Sequence, residues 1–108
     1  MDSLLDTFLR QARKRPSLLG LDGSFGEYVA FLNGLDLGAG GRALEGFGEW
    51  VGRRTGHQGW ELVWPLLVLR EASVDRSAGA WHELTAEDDA RAAVTLFELL
   101  SEFARDRR

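Results

Sequence analysis

Apolar side chains in this chain recur three and four residues apart, in short runs broken by glycine, and that period most narrows the folds open to it. Each run presents one apolar stripe when wound as a helix. The first spans Ser3 to Lys14, where Leu4, Leu5, Phe8, Leu9 and Ala12 share a face. Pro16 closes it, because the proline ring disfavours helical geometry at Arg15. Ser24 and Glu27, three apart like a capping box, then open a second helix near Phe25 to Leu35, with Tyr28, Val29, Phe31, Leu32 and Leu35 along it. Gly38 to Gly41 reads as a flexible connection.

Ala43, Leu44, Phe47, Trp50 and Val51 set out a third helix that Gly56 can terminate. Gly46, Gly48 and Gly52 weaken it by roughly 1 kcal/mol each relative to Ala if interior, so close packing by a neighbour is expected to compensate. In the stretch Trp60 to Ala72, Trp60, Val63, Trp64, Leu67 and Val68 keep helical spacing around Pro65. A helix beginning at Pro65 fits, since the missing N–H is harmless in the first turn. A strand through Leu66 to Leu69 is the rival, but no second β-rich run offers to pair with it. After a polar loop from Ser73 to Leu84, Thr85 and Asp88 imitate another capping box ahead of a long helix striped by Ala90, Ala93, Val94, Phe97, Leu100 and Ala104. The expected fold is all-α, a compact bundle of four to five helices forming one domain over residues 1–108.

With 44% hydrophobic residues in 108, there is enough apolar material for one core and hardly for two. The absence of cysteine excludes a disulfide framework and a thiolate site. The opening Met1-Asp2-Ser3-Leu4-Leu5-Asp6 lacks the basic start and apolar stretch of an export signal, and no apolar run reaches membrane-spanning length. A cytoplasmic location is the expectation. A net charge of −4 argues against non-specific nucleic-acid binding, yet the charge is polarised along the chain. Arg10, Arg13, Lys14 and Arg15 form a basic knot; Glu83, Glu87, Asp88 and Asp89 form an acidic one.

No arrangement of residues points to catalysis, a cofactor or a metal. Neither His57 nor His82 has a second His at helical ligand spacing, so a zinc site would need distant partners. No serine lies in a glycine-flanked elbow between strand and helix. Gly38 to Arg42 lacks the preceding strand and the Lys-Ser/Thr pair of a phosphate-cradling loop, which leaves a plain linker as the better reading. Asp88 and Asp89, adjacent on a helix, point about 100° apart and do not face each other as an acid/base pair would. Helix-dipole charge explains them, as it explains the cations ending the first helix, although phosphate binding by residues 10–15 is a second reading.

Trp81 stands apart from the other tryptophans. Trp50, Trp60 and Trp64 fall on apolar stripes and read as core, whereas Trp81 lies in the polar loop between Ala80 and His82. It reads either as an interface anchor rimmed by charge or as a lid folded back on the core. The candidate partner-binding set is therefore Trp81, His82, Glu83, Glu87, Asp88 and Asp89.

Three segments in order carry a family resemblance: Arg13-Lys14-Arg15-Pro16-Ser17-Leu18-Leu19-Gly20 with Tyr28-Val29-Ala30-Phe31-Leu32-Asn33-Gly34; Gly46-Phe47-Gly48-Glu49-Trp50-Val51 leading to Trp60-Glu61-Leu62-Val63; and Thr95 to Phe103. This order is similar to a group of small bacterial proteins, some of which look like immunity proteins encoded beside polymorphic toxins. The resemblance implies a non-enzymatic protein that binds and neutralises a toxin. The alternative is a small nucleic-acid-associated regulator using residues 10–15.

Overall fold

The computed structural model describes residues 4–56, 63–74 and 84–107. Among these, the chain forms five α-helices and no strand: α1 (Leu4–Lys14), α2 (Phe25–Gly38), α3 (Phe47–Thr55), α4 (Trp64–Glu71) and α5 (Ala86–Asp106), with a 3-10 turn at Pro16–Leu19. The fold is an all-α bundle, as the three-and-four spacing predicts. Arg15 is extended (φ −162°), which is the conformation imposed by the proline after it. The helix wins over the strand at Leu66 to Leu69, with Val63 as cap and Pro65 inside the first turn, where no N–H is missed.

α5 is the spine. Its 21 residues run for about 30 Å at the helical rise, in a molecule 38 Å long, and it packs on each of α1, α2, α3 and α4. Two aromatic groups are built against it. Phe97 stacks nearly flat on Phe8 of α1 at 5.9 Å between centroids and meets Tyr28 of α2 edge-on at 5.0 Å, and Phe31 also stacks on Phe8, at 5.5 Å. Phe103 tilts against Phe47 at 5.1 Å and Trp50 at 5.7 Å, both from α3, while Trp64 of α4 closes on Phe47. Pairs of this geometry add about 0.5–1.5 kcal/mol each beyond their burial. Among the described residues the buried set contains no polar or charged side chain.

The buried face of α5 differs from the one its small residues suggest. Ala92, Leu96, Leu99, Leu100, Phe103 and Ala104 are buried; Ala90 is exposed and Val94 is 58% exposed, while Ala93 and Phe97 sit at the edge. Side-chain size decides this. Burying a Leu or Phe stabilises by roughly 1.5–3 kcal/mol and an Ala by much less, so the helix turns its heavier stripe inward. On α1, Leu5, Phe8, Leu9 and Ala12 fall on one face at helical spacing and are buried, while Leu4, the first residue of the helix, is exposed.

Three further expectations change. α2 runs past Leu35 to Gly38, and the connection after it is a bonded turn rather than a loose linker. Gly40 takes the left-handed conformation (φ +68°), so that the N–H of Gly41 reaches back to the Asp36 carbonyl at 2.8 Å and that of Gly40 to Leu37 at 3.1 Å. Ala43 and Leu44 precede α3 rather than belong to it. Gly46 caps the helix at φ +80°, a conformation strained for any other residue but asparagine or aspartate, so this glycine needs no packing neighbour to explain it. Gly48 does have one: a Cβ there would touch Trp64 Cβ at 3.8 Å. Trp50 and Trp64 are half-buried at the rim of the core, and Trp60 lies outside the described residues.

Candidate functional site

At both sites read as capping boxes the N-cap hydroxyl makes its bond, and the structure joins the two helix starts. Thr85 Oγ1 accepts from the Asp88 N–H (3.1 Å) at the start of α5, and Ser24 Oγ accepts from the Glu27 N–H (3.3 Å) at the start of α2. Glu27 does not return its carboxylate to the Ser24 N–H. That N–H donates to Asp22 Oδ1 (2.8 Å), and Glu27 Oε1 instead accepts from the Asp22 N–H (2.7 Å). The junction between the helices is Asp89, whose Oδ1 accepts from the Phe25 N–H at 2.9 Å, sixty-four residues away in sequence. One carboxylate thus lies near the positive ends of two helix dipoles and satisfies a donor that α2 cannot satisfy itself.

The result is an acidic end to the molecule. Asp22 and Glu27 from α2 and its approach join Glu87, Asp88 and Asp89 from the first turn of α5. Glu87 is exposed; Asp88 and Asp89 are half-buried, and Asp88 pairs with Arg91 one turn on. Hydrogen bonds from the Ser24 hydroxyl and then its backbone N–H hold the Asp22 carboxyl below its ordinary range. Burial, followed by the charges of Asp22 and Asp89, pushes the Tyr28 phenol above its ordinary value. Of the candidate set, the structure therefore brings Glu87, Asp88 and Asp89 together, and gives Asp89 a structural task as well. Trp81, His82 and Glu83 lie outside the described residues, as does His57. Asp22 and Glu27 were the missing members. Ser24 and Glu27 announce a helix start, but nothing in one sequence says which other helix start it meets.

At other positions charge serves the scaffold. Arg54 of α3 makes a two-pronged contact with Glu102 of α5 (3.1 and 3.3 Å), and Trp50 Nε1 donates to Asp106 Oδ2 at 2.8 Å. Arg107 lies over the Phe103 ring at 5.0 Å and donates to the carbonyls of Arg42 and Ala43. The turn at Gly38 to Arg42 thus offers carbonyls to a cation and is pinned in place.

The basic knot is exposed throughout: Arg10, Arg13, Lys14 and Arg15 all face solvent. Arg10 and Arg13 also line a cleft of about 320 Å³ between α1 and α5 that contains Arg105 and Ser101 on the other wall. Among the described residues no three His, Asp or Glu side chains gather to hold a metal ion, and no helix is long and apolar enough to cross a membrane. No protein-family pattern, curated protein or solved structure matches the chain.

Proposed function

We propose that this is a non-enzymatic binding protein of the immunity class, acting in the cytoplasm by occluding a cognate bacterial toxin. The observation that carries the reading is the joined start of α2 and α5, where a hydrogen bond from Phe25 to Asp89 fixes five acidic side chains on one end of the molecule. An acidic surface held by a rigid helix pair is suited to a basic, phosphate-handling cleft such as a nuclease toxin presents. Complementary charge of this kind accelerates encounter and selects the partner. Trp81, His82 and Glu83 shortly precede α5 in sequence, and Trp81 is the aromatic residue proposed as the anchor of the interface.

Co-expression with the product of the adjacent gene provides the test. The expected result is restored growth in cells carrying that toxin and a complex that survives purification. Glu87→Lys should slow association by roughly tenfold at low salt, with the difference shrinking as salt is added. Trp81→Ala should speed dissociation. Failure to protect the cells would overturn the function, and unchanged rates in both variants would move the interface elsewhere. Asp89 is a poor choice for this purpose, because its loss also loosens α2.

A further inference from the structure

The opposite charge pole has a shape of its own. Arg10 and Arg13 on α1 and Arg105 on α5 lie around one cleft, and Leu9 and Ala104, 8% and 6% exposed, form its apolar floor. Arg13 Nη2 donates to Ser101 Oγ at 2.7 Å across the cleft, an arrangement that fixes the guanidinium in one orientation and leaves the serine its own proton to donate. Asp6 also lines the site, one turn before Arg10. Three guanidinium groups against one carboxylate leave two formal positive charges, which match a phosphate monoester at about −1.5 to −2. The volume of about 320 Å³ stands at the small end of ligand sites, and the apolar floor suits a compact organic body behind the charged group.

We propose that this cleft binds the phosphate group of a small organic phosphate of mononucleotide size. Arg13 and Arg105 grip the phosphate oxygens from opposite walls, Ser101 donates a further hydrogen bond, and Leu9 and Ala104 meet the organic part. The residues that line the cleft separate this from tracking along a polynucleotide: a track would use Lys14 and Arg15 equally, and these lie next to the cleft in sequence without lining it.

Titration calorimetry with adenosine monophosphate and with inorganic phosphate, at low ionic strength, tests the proposal. Wild-type protein should bind adenosine monophosphate more tightly than inorganic phosphate. Arg13→Gln and Arg105→Gln should each weaken binding by about tenfold, while Lys14→Gln and Arg15→Gln should change it less than about twofold at moderate salt. Arg13 and Arg105 are exposed, so these variants should keep a melting curve close to wild type, which circular dichroism checks. No binding by the wild type at millimolar ligand would overturn the proposal. Equal losses from all four variants, or a single-stranded oligonucleotide that binds far more tightly and relies on Lys14 and Arg15, would overturn it in favour of a basic track.

Discussion

Asp89 is the fourth residue of α5, yet its carboxylate closes a different helix. Removing it strands the Phe25 N–H at a half-buried position, and losing such a cap costs about 1–2 kcal/mol. Asp89→Ala should therefore lower Tm by roughly 4–8 °C per kcal/mol lost, measured by thermal melting. Tyr28 provides a second readout of the same junction, because it is the one tyrosine in the chain. Its raised pKa means that the folded state holds the phenol proton more tightly than the unfolded state does. The associated stability is complete below about pH 10 and is lost as pH rises through the folded value. Phenolate absorbance should accordingly titrate above pH 10 in native protein and at the ordinary value in denaturant, and Asp89→Ala should reduce the difference without abolishing it, since burial is the larger cause.

At the scale of elements, the two faces of α5 make contrasting predictions. Leu96 is fully buried and Val94 is 58% exposed. Leu96→Ala should cost about 2–5 kcal/mol in denaturant unfolding, and Val94→Ala less than about 0.5 kcal/mol. The reverse order would place the small-residue stripe inward after all. Helix endings allow a gain as well as a loss. α4 closes as α2 does: the Val74 N–H bonds to the Leu69 carbonyl (2.9 Å), the Ser73 N–H bonds to Arg70 (3.0 Å), and Val74 and Leu69 are both buried. The difference is that α2 uses Gly40 at the left-handed position, whereas α4 uses Ser73 at φ +63°. Ser73→Gly should relieve that strain and stabilise by about 0.5–1 kcal/mol, visible as a higher urea midpoint with unchanged slope.

At the scale of the whole molecule, period and punctuation foretold the class of fold, the N-caps at Ser24 and Thr85, the stop at Arg15 and a helix with Pro65 in its first turn. These are local decisions, made within one turn of the residues concerned. The rotation of α5 and the extension of α2 to Gly38 depend on what surrounds them, and so did the pairing that brings Asp22 and Glu27 to Asp89. The site was half legible for this reason: three acids share one turn, but the other two arrive through a contact sixty-four residues long. The basic cleft was legible only as a run of cations, because Arg105 and Ser101 come from the far end of the sequence.

The central place of α5 also governs the order in which the protein can come into being. A ribosome that has just finished α4 has made α1 to α4 without the helix on which all four pack. The 35 residues from Ala72 through Asp106 take roughly 2–7 s to add at about 5–20 residues per second. During that interval neither aromatic group has its α5 ring, and the apolar faces of the nascent chain stand open to chaperones and to neighbouring chains. Folding of the bundle is withheld until α5 has been made.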